Sequence, residues 1–164
     1  IWVESEPGKG AKFTFKLHKY TPQTLVREYV SKAVKKSAES GARMSIIFIK
    51  SNLTGIAAQG MGNKKLNDIM HETAALIKNT LRREGDDVID DGSELVVMLA
   101  ECDKESAARV QYRIEELVNK HLADQNMDDL IKVNYGYATY PDDAKSELAL
   151  IEKAKAALAV SAKA

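Results

Sequence analysis

The chain has 164 residues, with 24 Lys+Arg against 24 Asp+Glu, a formal net charge of zero and 45% hydrophobic content, enough for one buried core and about one main domain. Balanced charge excludes nucleic acid or an anionic membrane as a partner drawn by net field. A single cysteine, Cys102, excludes an intrachain disulfide, the scattered His18, His71 and His121 supply no closely spaced zinc ligands, and no apolar run approaches the ~20 residues of a spanning helix.

With no charged-then-apolar leader pattern, the segment reads as soluble and cytoplasmic, without membrane contact of its own. Apolar and polar residues alternate on both sides of Glu6-Pro7-Gly8-Lys9-Gly10, which predicts a β-hairpin over 1–17. A lone hairpin is marginal in water and must pack on something else. An opening with neither an N-cap nor an initiator methionine predicts a piece of a longer protein. Thr21 as N-cap and Pro22 at the first helical position start a helix over 22–40. Its stripe is Leu25, Val26, Tyr29, Val30, Ala33 and Val34, with Lys32, Lys35 and Lys36 opposite and Gly41 as the stop. The stripe has no sustained heptads, so it is expected to lie on the domain's own sheet, with Pro22 marking the boundary.

The run 44–49 is almost wholly apolar, as for a central strand covered on both faces. Three glycines make 51–63 read as a loop with one helical turn. Leu66, Ile69, Met70, Thr73, Ala74, Ile77 and Leu81 mark an amphipathic helix, and 87–89 and 94–99 are strands about the turn Asp90-Asp91-Gly92-Ser93. Ala107, Val110, Ile114, Leu117 and Val118 give another helix, 130–140 a strand ending at Pro141, and 147–163 an Ala/Lys-rich helix. The fold class is therefore α/β of the α+β kind: a ferredoxin-like βαββαβ core with extra helices and an N-terminal hairpin.

The hairpin of Ile1-Trp2-Val3-Glu4-Ser5 and Ala11-Lys12-Phe13-Thr14-Phe15 about its Pro/Gly turn resembles the end of a sensor histidine kinase's ATP-binding domain; the plainer reading is a generic hairpin. The resemblance implies a kinase in the intact protein, but the Asn-bearing helix and glycine-rich lid of that family are not in these 17 residues. Most of the rest resembles a GGDEF domain, the diguanylate cyclase family that condenses two GTP into cyclic di-GMP. Three stretches carry this: 46–49, Asp91-Gly92-Ser93-Glu94-Leu95 with its strand, and Val133-Asn134-Tyr135-Gly136-Tyr137-Ala138-Thr139-Tyr140-Pro141 before the Ala-rich helix. The division implied is 1–17 from a kinase ATPase domain and 18–164 as a GGDEF-like domain of the nucleotide-cyclase type.

Against that family the site departs at several positions. The resemblance implies a metal-binding Asp at the end of the first strand and an acidic third signature residue; Lys50 and Ser93 stand there, with Asn52 among the same vestigial positions. A lysine puts a positive charge where a Mg²⁺ ligand belongs, so metal binding is expected to be lost and no cofactor is expected. The guanine-reading positions fall on Ala58, which offers no side-chain hydrogen bond, and Asn67, which lacks charge. Asp91 replaces the first signature glycine, while Gly92 and Glu94 are kept. The family's inhibitory Arg-x-x-Asp falls on Arg82 and Gly85, with Arg83 and Asp86 as a shifted copy; the plainer reading is that these charges solvate a helix end. Lys50 itself has two readings, a phosphate-binding point charge or a strand-end lysine helped by Asp90, Asp91 or Glu94. Tyr135, Tyr137 and Tyr140 are read as cross-strand packing on one face. Cys102, between Glu101 and Asp103, is read as an inert thiol with a raised pKa.

The expected function is a non-catalytic GGDEF-like module at the C-terminus of a bacterial sensor histidine kinase, with no catalytic residue. It would act through contacts with the upstream kinase domains, a response regulator or a second copy. The alternative is a nucleotide receptor that keeps GTP or cyclic di-GMP binding without turnover.

Overall fold

The computed structural model describes residues 2–15, 21–55, 62–92 and 94–161. Two strands, β1 (Trp2–Glu6) and β2 (Gly10–Thr14), pair antiparallel across a turn closed by Lys9 N–H to the Glu6 carbonyl. Gly8 at φ +79 and Gly10 at φ +87 take the left-handed backbone this turn demands. Val3 faces Phe13 across the pair, and Trp2, Val3, Phe13 and Phe15 are all more than half exposed. The hairpin is a separate two-stranded sheet and does not extend the larger, four-stranded one.

Helix α1 (Pro22–Ser40) begins as predicted: the Thr21 hydroxyl accepts from Thr24 N–H, Pro22 needs no donor there, and Gly41 at φ +70 ends the helix. Val26 and Val30 are buried and Leu25, Ala33 and Val34 pack beside them. Tyr29, counted in the stripe, instead lies 41% exposed with the Lys32 ammonium over its ring. Five more elements build the core: β3 (Met44–Leu53), α2 (Asn63–Thr80), β4 (Asp87–Asp90), β5 (Leu95–Leu99) and α3 (Lys104–Asp124). The chain closes with β6 (Ile131–Tyr140) and α4 (Glu147–Ser161).

The order β4-β5-β3-β6, antiparallel throughout, is that of a ferredoxin-like βαββαβ sheet. Strand β3 is central, and Met44 through Ile49 are at most 1% exposed because helices cover both faces. Odd-numbered Ile47 and Ile49 face α2 and α3, together with Ile77, Ile114 and Val118; even-numbered Ile46 and Phe48 face α1 and α4, together with Val30, Leu150 and Ala154. Period-2 alternation therefore supplies two separate cores from one strand.

Two sequence readings are corrected. Residues 51–53, expected in a loop, continue β3, because Ser51, Asn52 and Leu53 find partners in Val133, Lys132 and Ile131 of the equally long β6. The helical turn expected further along falls partly on 56–61, outside the described residues. The three tyrosines do not share a face: Tyr135 and Tyr137 pack with the α2/α3 core, and Tyr140, an odd number of residues away, packs with the α1/α4 core.

Candidate functional site

The site lies where β3 leaves the core and the β4–β5 turn meets it. Lys50 and Asn52 continue the even face of β3 beyond Phe48 and emerge exposed. The β4–β5 turn is held by its own acids: Asp91 Oδ1 accepts from Glu94 N–H at 2.7 Å, Asp90 Oδ1 accepts from Gly92 N–H at 2.9 Å, and Gly92 takes φ +81. Asp91 is thus a turn-forming side chain, and it lines a separate hollow with Thr21, Pro22 and Leu25. The turn delivers Glu94 to the sheet surface with its side chain only 12% exposed.

Both carboxylate oxygens of Glu94 face ammonium groups. Lys50 Nζ lies 3.6 Å from Oε1, and Lys155 Nζ from α4 lies 2.7 Å from Oε2. Lys155 also sits 4.9 Å above the Phe48 ring centroid, a cation–π contact that fixes its stem. Its position depends on Gly136: any Cβ there would run into the Ala154 carbonyl oxygen and the Leu158 backbone N, so the missing side chain lets α4 lie directly on β6.

Two adjoining cavities share Lys50 and Glu94. One, of about 410 Å³, is walled by Asn52, Asn134, Lys155, Leu158 and Ala159. The other, of about 260 Å³, is walled by Ser51, Leu66, Asn67, Met70, Asp90, Gly92 and Leu95. Of the site residues expected from the sequence, the fold therefore gathers Lys50, Asn52, Asn67, Gly92 and Glu94; Ala58 and Ser93 lie outside the described residues. Sequence reasoning missed Lys155 and Asn134. Asn134 is opposite Lys50 in the β3–β6 register, 5% exposed, and its Oδ1 has no hydrogen-bond partner. A donor supplied from the cavity would satisfy that oxygen.

A divalent ion does not fit this donor set. Mg²⁺ takes carboxylates and other hard oxygens, whereas each oxygen of Glu94 already faces a lysine. Among the described residues no group of three or more His, Cys, Asp or Glu side chains is placed to hold a metal.

Arg82, Arg83 and Asp86 sit at the opposite end of β5, around a cavity of about 200 Å³ that also touches Leu99, Cys102 and Arg113. Arg83 Nη1 donates to the Glu101 carbonyl at 2.8 Å, and Asp86 Oδ1 accepts from Ala100 N–H at 2.8 Å. These two side chains clip the turn after β5, where Glu101 has φ +48, and so do more than solvate a helix end. Gly85, at φ +96, could not become an Asp without backbone strain, and its Cβ would press on Ala100. Burial raises the Asp86 carboxyl, opposed by the Ala100 N–H and Arg83. Burial also raises the Cys102 thiol, against Arg83 and with smaller help from Asp103 and Asp86, so burial rather than the flanking acids leads the upward shift.

A single antiparallel βαββαβ domain with its candidate site at the β3 exit and the β4–β5 turn defines a cyclase-type α+β fold. The family model for the diguanylate cyclase GGDEF domain matches residues 21–164, and the chain belongs to that family. No functionally curated protein is similar to it in sequence. Among solved structures, the GGDEF domain of PA1120 (YfiN or TpbB) from Pseudomonas aeruginosa superposes with TM-score 0.66 and 22% identity, over 87% of this chain and 90% of that one. The active GGEEF domain of a diguanylate cyclase from Vibrio cholerae gives TM-score 0.67 at 13% identity, covering 85% of this chain and 88% of that one. The GGDEF domain of DgcB from Caulobacter crescentus, solved in complex with c-di-GMP, gives 0.65 at 13% identity over 93% of each chain. At such identities these likenesses speak for the fold. Among the described residues no helix is long and apolar enough to cross a membrane.

Proposed function

We propose that this chain is a non-catalytic member of the GGDEF family, a regulatory module that works through protein contacts. The observation that carries the reading is the charge around Glu94: a lysine stands at the strand end where the family's metal carboxylate belongs, and the carboxylate that remains faces Lys50 at 3.6 Å and Lys155 at 2.7 Å, which disfavours the divalent ion that GTP condensation needs. The uncharged Asn67 and the turn-bound Asp91 support it. The hairpin belongs, in this reading, to the end of a histidine kinase ATPase domain, with 18–164 as the module behind it. Its exposed Val3, Phe13 and Phe15 suit a strand pair whose cover lies elsewhere in the protein. The partners are the kinase domains upstream, a response regulator or a second copy, in the cytoplasm.

Calorimetric titration with GTP and with cyclic di-GMP, each with and without Mg²⁺, tests the reading. No saturable heat is expected. Saturable binding of either nucleotide overturns it in favour of the second reading, a nucleotide receptor without turnover. One observation favours that alternative: the partnerless Asn134 Oδ1 beside two lysines leaves room for a ligand carrying both a hydrogen-bond donor and negative charge.

A further inference from the structure

We infer that Lys155 is a resident cation of this cleft: its ammonium, with that of Lys50, balances the part-buried Glu94 carboxylate, so that no divalent ion is needed there as its counter-charge. The inference rests on the reading above and assigns a role to a residue on the last helix.

The geometry distinguishes Lys155 from an ordinary surface lysine. Its contact to Glu94 Oε2 is 2.7 Å, the length of a charge-assisted hydrogen bond, while the Lys50 contact at 3.6 Å is an ion pair without one. The carboxylate is 12% exposed and its two lysines 42% and 48%, so the negative charge is the more buried member and requires a counter-charge. Phe48 beneath Lys155 is fully buried, and Gly136 holds α4 against β6, so the cation is delivered by packed elements on one side. At Glu94 itself two ammonium groups face one carboxylate, which disfavours a further cation on that oxygen pair; the other carboxylate of the adjoining cavity is that of Asp90. The adjoining aspartate, Asp90, is already engaged with Gly92 N–H and with His71 Nδ1 at 3.2 Å.

Paramagnetic broadening by Mn²⁺ of the amide spectrum of the whole chain tests this, with no nucleotide present. In the wild type, millimolar MnCl₂ is expected to broaden the amides of Lys50, Glu94 and Leu95 no more than those of exposed residues elsewhere. In the double variant Lys50→Asp with Lys155→Ala, those three amides are expected to broaden selectively. Mn²⁺ affinity should rise at least about tenfold, because an attracting carboxylate replaces repelling ammonium a few ångströms away. Adding Glu94→Gln should abolish the gain. Selective broadening in the wild type that Glu94→Gln removes overturns the inference, as does a double variant with a dispersed, native-like spectrum that gains no Mn²⁺ site. If the double variant does not fold, the wild-type comparison alone decides. Because the readout is a metal without nucleotide, its failure is separable from failure of the non-catalytic reading, which turns on GTP and cyclic di-GMP.

Discussion

At Gly136, a single methyl group would collide with the backbone of α4, and relief requires the helix to move off the sheet. Gly136→Ala is therefore expected to cost about 1–3 kcal/mol, the range for overpacking a close-packed interface, read as a lower urea midpoint at unchanged slope. The same shift carries Lys155 away from Glu94. A second buried contact is polar: the Ser45 hydroxyl donates to the Cys102 carbonyl at 3.0 Å and shares a hydrogen bond with Thr139 Oγ1 at 2.8 Å, with both residues fully buried. Ser45→Ala strands two buried polar groups and is expected to destabilise by about 1–3 kcal/mol. Adding Thr139→Val should cost less than the sum of the two single changes, since the pair shares one bond.

At the scale of elements, the connection from β6 to α4 is tied down by acids. Asp143 Oδ2 accepts from Thr139 N–H at 3.0 Å and its Oδ1 takes the Lys104 ammonium at 2.6 Å, while Asp142 receives Arg43 Nε at 3.0 Å. Burial alone would raise the Asp143 carboxyl, but Lys104 and the Thr139 N–H outweigh it and hold the group below the usual carboxylate range. A carboxyl depressed by folding contributes stability above its unfolded pKa, and that contribution is lost as pH falls through the folded value. Asp143→Asn is thus expected to melt at a lower temperature than wild type near neutrality, with the gap closing in acid. A gap that stays constant from pH 7 to pH 3 would refute the assignment.

Most elements are legible in the sequence because each carries its own signal. Thr21-Pro22 and Gly41 bracket α1, the unbroken run 44–49 marks a strand buried on both faces, and Asp91-Gly92 marks the hairpin turn. What is not legible is set by partners distant in sequence. Residues 51–53 carry no strand signal and are strand because β6 reaches them. Lys155 looks like any lysine in an Ala/Lys-rich helix; only the contact of α4 with Gly136 places it on Glu94. Lys50 is legible as a strand-end lysine with Asp90, Asp91 or Glu94 as partner, and the folded sheet selects Glu94; Asn134 as a cavity wall is not legible, because its register opposite Lys50 belongs to the sheet. Arg83 and Asp86 read as helix-end charges because their true partners are backbone groups of Ala100 and Glu101.

Across the whole molecule, two cores share one sheet, and no described residue of the hairpin belongs to either. Removal of residues 1–17 is therefore expected to leave the thermal midpoint within about the few degrees that correspond to 1 kcal/mol in a domain of this size. Failure of the truncated chain to fold would make the hairpin integral to the domain and contradict its assignment to a kinase. Catalytic silence is the central claim, and turnover measures it most directly: the purified chain, in molar excess over GTP, with Mg²⁺ or Mn²⁺ across the millimolar range, and cyclic di-GMP quantified over hours beside a Glu94→Ala control. The proposal predicts no product from either protein. Cyclic di-GMP formed in proportion to wild-type protein and absent from the control would contradict it.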